Sequence, residues 1–288
     1  MPAGVRPRRL RAVLMVTSVL LALWILELVV EIQSYDVAAL ARTHPRRTAL
    51  MLQREREAVA HGRHARVDQR WIAYGGISPV LRRAVLIAED DAFYAHGGLD
   101  FDEIMVSARR NLEKRRVVRG GSTVTQQLAK NLFLGDRRTL DRKLREALLA
   151  FRLERTLSKR RIFELYLNLI EWGDGIYGAE AAAQRHFGVS ASNLGERQAV
   201  LLAAVIINPR RYSPVHPDRR IEHRARMIAS RLKRRGVLGE AEWARAVGAP
   251  AAPVSFPADT TADSFSLPAL PSPAATPESL PPDPSLSP

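Results

Sequence analysis

The chain has 288 residues, 46% hydrophobic and 26% charged, enough for one sizeable core with appendages. Its 44 Lys and Arg against 30 Asp and Glu give a formal charge of +14, which points to an anionic partner: nucleic acid, acidic lipid or a phosphorylated substrate. Cysteine is absent, which excludes disulfides, thiolate catalysis and cysteine-ligated zinc.

Taken in chain order, residues 1–9 form a basic N-terminus and residues 10–30 a run long and apolar enough to span a bilayer, with Glu27 near its far end. The arginines at 6, 8, 9 and 11 predict a cytoplasmic N-terminus and an extracytoplasmic remainder. The first small-x-small pattern, Ala39 to Ala41, lies well past the apolar run, so an uncleaved anchor is favoured over a signal peptide. Residues 31–70 are polar and Arg-rich and read as a juxtamembrane stalk close to anionic headgroups.

Residues 71–247 read as one mainly α domain. Ser78-Pro79 starts a helix whose stripe is Leu81, Ala84, Val85 and Ala88, and which ends between Glu89 and Phe93. Asp100-x-x-Glu103 opens a second helix to about Lys114, and Thr123-x-x-Gln126 a third to about Phe133. Leu140, Leu144, Leu148 and Phe151 mark a fourth, and Ile162, Tyr166 and Leu169 a fifth. Asn193-x-x-Glu196 opens a very apolar sixth. Turns are expected at Gly97-Gly98, Gly120-Gly121 and between Gly173 and Gly178, and no convincing alternating strand is present. Residues 248–288 hold eleven of the eighteen prolines and no Lys or Arg, and read as a disordered tail.

Three stretches carry chemistry. In "EDDAFYAHGGLD", acids crowd a helix C-terminus, where the macrodipole favours cations. A solvated helix end would explain them, but a general base gains from such surroundings, since partial burial and nearby negative charge raise its pKa. His96 could orient such an acid or bond within its own turn. In "RGGSTVTQQLAKN", a glycine pair, Ser122 and Thr123 lead into a helix whose first N–H groups offer an anion cradle, with Lys130 two turns along; a routine capped helix is the alternative. In "RKLREALL", Glu146 lies four residues from Arg142 and three from Lys143, either an ordinary helical ion pair or a cationic face for a diphosphate.

These stretches, together with "SKRRIFELYLN" and "EWGDGIYGAEAAAQRHFG", occur in order and resemble the five motifs of the peptidoglycan glycosyltransferase domain, glycosyltransferase family 51, in its monofunctional form. The resemblance covers roughly residues 70–235, and Phe163 departs from a common Leu. It implies a lysozyme-like α fold with an N-terminal transmembrane helix, held in the bacterial cytoplasmic membrane with its catalytic domain outside. It implies polymerisation of lipid II into β1,4-linked glycan with release of undecaprenyl diphosphate. Carried over by motif, Glu89 is the general base and Glu146 the second catalytic carboxylate. Lys130, Arg142, Lys143, Ser122, Thr123, Gln126, Gln127 and Asn131 become substrate-binding positions, with an apolar lining from Phe101, Ile104 and Met105 unless these are core. The implied partners are lipid II, the growing glycan chain, the membrane and a cell-wall synthesis complex, and not nucleic acid. No dedicated metal site is legible, although a divalent cation, Mg2+ or Mn2+, bridging diphosphate and carboxylate is compatible with the resemblance. Two rivals stand beside this reading: a lytic enzyme on the same broad fold, and a membrane-tethered anion-binding protein without catalysis.

Overall fold

A computed structural model describes residues 7–100, 105–107, 109, 113, 121–136 and 139–248. Helix α1 (Pro7–Ser34) contains the apolar run, and its side chains from Val13 to Val30 are mostly exposed, as a lipid-facing helix requires. Only its foot is packed: Leu28 and Ile32 join the core, Glu27 lies 3.8 Å from Arg145, and Arg152 donates to the Ile32 carbonyl. The acid at the end of the apolar run therefore has a partner.

Residues 37–69 do not stand apart as a stalk. Val37, Leu40, Leu50 and Met51 are buried, and helix α2 (Ala49–Ala60), capped by Thr48, packs on the segment after Lys130. Arg54 on α2 reaches Glu171 and Asp136 as well as its helical neighbour Glu57, so one arginine that made the segment look like a linker instead ties it to distant parts of the fold.

Helix α3 (Pro79–Glu89) has Pro79 at its first position, as expected, though the Ser78 side chain makes no capping bond. Of the second expected helix, residues 105–107, 109 and 113 are described and helical, while Phe101, Ile104 and the rest lie outside the described residues. Met105 is exposed and so is not core. Helix α4 (Val124–Ala129) begins on the expected Thr123–Gln126 capping box and ends in a π-turn, Lys130–Leu134. Helices α5 (Leu140–Thr156) and α6 (Lys159–Leu169) follow.

Leu140, Leu144, Leu148 and Phe151 identify α5 correctly but do not face the core: all four are exposed, and Glu146, Leu149, Ala150 and Leu153 are buried instead. A small sheet ordered β1-β3-β2 joins Asp68–Gln69, Ile176–Tyr177 and Glu171–Gly173. Strands this short show no alternation, which is why none was expected. Helix α7 (Ala179–Phe187) leads to α8 (Glu196–Val205), buried from Ala199 to Val205, which packs on α3, α9 (Arg219–Arg234) and α10 (Glu240–Val247). The cap of α8 is shifted from the expected Asn193–Glu196: Gly195 is the N-cap and its N–H donates to Gln198 Oε1 at 2.9 Å. The stretch 248–288 is described only at Gly248; the rest of it lies outside the described residues.

One buried amide ties the lobe entry to α6. Asn168 accepts from the Ile72 N–H and donates to the Ile72 and Glu164 carbonyls, all at 2.9 Å. Asn168→Ala leaves the Ile72 N–H and carbonyl without these partners, and a loss of about 2–3 kcal/mol is expected. Thermal unfolding in detergent should read this as a transition roughly 5–10 °C lower.

Candidate active site

Glu89 is the last residue of α3, and its side chain is 13% exposed. Its Oε1 accepts from Arg224 Nη2 at 2.9 Å and its Oε2 from Gln127 Nε2 at 3.1 Å. The amide of Gln127 is oriented in turn, because its Oε1 accepts from Tyr166 Oη at 3.1 Å. The cations missing from the end of α3 come from α9: Arg224 Nη2 also donates to the Ala88 carbonyl, and Asp91 pairs with Arg235. Acids at a helix C-terminus are tolerated here because a second helix supplies the opposite charge.

Burial pushes the Glu89 carboxyl above the usual range; Arg224, the Gln127 bond and Lys130 oppose the shift without cancelling it. Burial also lifts the Tyr166 phenol far above its ordinary value, with Glu89 and Asp90 adding to it, so Tyr166 stays a donor. A carboxylate that must be ionised to take a proton then loses activity as pH falls through a raised pKa. The acid limb of kcat/KM should lie above the ordinary Glu range. Arg224→Gln removes an interaction favouring the ionised form, so the limb should move to still higher pH in a log(kcat/KM) profile; an unmoved limb would separate Arg224 from the base.

The expected helix-end anion cradle is already filled. Val124 N–H donates to Asp90 Oδ2 at 2.9 Å, Gln126 N–H to Thr123 Oγ1, and Thr123 N–H to Gln126 Oε1. Asp90 is the anion that the start of α4 binds. Thr123 and Gln126 are buried and build the loop instead of offering donors to a ligand. Thr123 Oγ1 also donates to the Gly98 carbonyl at 2.6 Å. At Gly98, with φ +93°, a Cβ would sit 3.0 Å from Glu154 Cγ, so the close approach needs glycine.

The cations come from side chains. Lys130 opens the π-turn, 29% exposed, with its Nζ 3.9 Å from Asp136; such turns recur where a helix must re-aim a functional group. Glu146, 3% exposed, accepts from Arg142 Nη1 at 2.6 Å and from Lys143 Nζ, which also donates to Ser122 Oγ at 3.0 Å. Ser122, just ahead of the α4 cap, takes the Lys143 contact, and Gln127, within α4, takes the Glu89 contact. Asn131 is buried. Arg142 Nε and Arg224 Nε are buried with no hydrogen-bond partner among the described residues, two guanidinium donors left over for an acceptor oxygen.

Arg224 and the hydroxyl of Tyr166 were missed by sequence reasoning. Arg224 had a usable signal, the amphipathic stretch Ile221, Ala225, Ile228 and Leu232 that marks α9, but its pairing with Glu89 spans 135 residues. His96 bonds within its own turn: its Nε2 lies 2.9 Å from Asp90 Oδ1, while Glu89 is held by Arg224 and Gln127. Asp90, His96 and Asp100 bring ligand atoms within 4.8 Å of one another, yet Asp90 is already engaged by His96 and Val124. Both Glu89 oxygens are likewise committed, beside Arg224 and Lys130, surroundings that repel a divalent cation. These residues do not fit a metal ion.

A buried carboxylate beside held cations suits an enzyme whose substrate carries negative charge. The chain belongs to the transglycosylase family, whose model matches residues 55–233, and its helical domain is of the lysozyme-like type. It is similar to a protein named biosynthetic peptidoglycan transglycosylase from Aromatoleum aromaticum, 43% identical over 224 residues, covering 78% of this chain and 94% of that one. Relatives of the same name from Laribacter hongkongensis (46% identical over 189 residues; 66% and 83% covered) and Methylobacillus flagellatus (49% over 169; 59% and 74%) agree.

Proposed function

We propose that this chain is a peptidoglycan glycosyltransferase that polymerises lipid II for bacterial cell-wall synthesis. The observation that carries the reading is Glu89, buried and held between Arg224 and Gln127 beside Lys130. Glu89 takes the proton of the acceptor sugar's 4-hydroxyl, and that oxygen attacks the donor's anomeric carbon from the face opposite its α-linked lipid diphosphate. The new bond is β1,4, the anomeric centre inverts, and undecaprenyl diphosphate leaves with the electron pair. Lys130, Arg142 and Lys143 stabilise the charge that develops on it. A diphosphate departs without being protonated, so one carboxylate base suffices, in contrast to a hydrolase that flanks the bond with two and admits water.

Helix α1 anchors the enzyme beside its lipid-linked substrate, with the N-terminus cytoplasmic and the domain outside. The exposed stripe Leu140, Leu144, Leu148 and Phe151 on α5, next to the packed foot of α1, supports a membrane seat for the same lobe. The test is polymerisation of labelled lipid II by the full chain in detergent, with lysozyme digestion to establish the linkage. Long digestible strands are expected. Shortening of preformed glycan with no synthesis would replace this reading with the lytic one; binding without either reaction would leave the tethered anion-binder.

A further inference from the structure

Outside the catalytic centre, the C-terminal end of α2, the segment that follows it and the β2–β3 turn enclose a cavity of about 440 Å³. Its walls carry four arginines and two histidines, Arg54, Arg63, Arg66, Arg210, His61 and His64, against two acids, Glu57 and Asp174. Arg54 and Arg210 are occupied: Arg54 by Glu57, Glu171 and Asp136, Arg210 by Asp174 at 3.1 Å. Arg63 and Arg66 are exposed and form no ion pair among the described residues. The cavity thus has a fixed, internally paired wall and two uncommitted guanidinium groups at its mouth.

Four further observations make it more than a basic patch. Glu171 Oε1 and Tyr177 Oη are buried with no hydrogen-bond partner, and Tyr177 lies close enough to Glu171, Arg54 and Arg210 to feel their charges, so polar capacity remains behind the arginines. The wall is tightly built: at Gly175, φ +72°, a Cβ would meet the Arg66 carbonyl oxygen at 2.5 Å. The cavity is also tied to the candidate site through its lining residue Arg54, whose partner Asp136, at 3.3 Å, lies 3.9 Å from Lys130. A second hollow of about 260 Å³ shares Arg66, Asp174 and Gly175 with the first and borders it.

We propose that this cavity is a subsite for the peptide stem of the glycan substrate, with Arg63 and Arg66 taking its carboxylates. The proposal rests on the function above. Planar guanidinium forks match carboxylate and phosphate alike; the tie to Lys130 through Arg54 and Asp136 favours the stem, since diphosphate already has Lys130, Arg142 and Lys143. Arg63 and Arg66 here are binding residues and take no part in bond making.

The test uses the full chain in detergent, wild type and the Arg63→Gln/Arg66→Gln double variant, with two lipid-linked disaccharide substrates whose stems carry free or amidated carboxylates. Wild type should show a KM roughly 5–10-fold lower for the free acid, the variant should raise that KM to the amidated level, and kcat should hold for both. Equal wild-type KM values, or a variant that weakens both substrates alike, would overturn the proposal while leaving the glycosyltransferase reading intact so long as polymer forms. Shifts of the His61 and His64 ring signals with inorganic phosphate but not with a soluble muramyl peptide would assign the cavity to a phosphate and overturn the stem. No polymer from either substrate would remove the function itself, and the same ring titration with the muramyl peptide would then decide the cavity alone.

Discussion

Glu89→Gln should lower glycan polymerisation by about 10³-fold in kcat, within the 10²–10⁴ range that a positioned base supplies. The substitution keeps the shape and one acceptor oxygen. Arg224 can still donate to that oxygen, and the new amide N–H finds an acceptor if Gln127 turns its own amide over, since the Tyr166 hydroxyl can accept as well as donate. Folding should therefore survive, with an unfolding transition close to wild type, and the loss should sit in kcat and not in KM. The residual rate would come from the held cations and from proximity. A variant retaining a tenth of wild-type turnover would place the base elsewhere. Asp90 is a poor substitute, because His96 and the Val124 N–H occupy its carboxylate.

The parts of this site that could be read from the chain are those in which neighbours in sequence are neighbours in space. The Thr123–Gln126 capping box, Pro79 opening α3, and the grouping of Arg142, Lys143 and Glu146 are all local, and each is present. What escaped is long-range or depends on which face of a helix is buried. Acids at the end of α3 look anomalous until α9 brings Arg224 to them from 135 residues away. The start of α4 looks like an open anion site until Asp90, 34 residues earlier, fills it. The α5 stripe has the period of a core face, but periodicity cannot tell a core from a lipid surface, and burial went to the stripe containing Glu146. Arg54 and its partners at Asp136 and Glu171 were hidden for the same reason: composition marked the segment as polar, and only the fold shows those charges paired.

Glu146→Gln should give the second-largest loss, about 10²-fold in kcat/KM. The buried carboxylate holds Arg142 and Lys143 from the positions three and four residues ahead of it, and through Lys143 it reaches Ser122 at the head of α4. On a solvated helix such pairs contribute only tenths of a kcal/mol. Here Glu146 is 3% exposed and Arg142 17%, so the interaction is stronger, while Lys143 at 43% is partly screened. Without the negative charge the two cations repel, and Lys143 is free to swing into water. Substrate charge must then gather them at each turnover, so the loss should appear mainly in kcat, where the leaving group's charge is greatest. A role confined to holding the cations makes a further demand: Arg142→Gln/Glu146→Gln should lose less than the sum of its two single variants, because both remove one interaction. Strictly additive losses, or a Glu146→Gln enzyme with wild-type kcat, would mean that Glu146 acts on the substrate by itself or not at all.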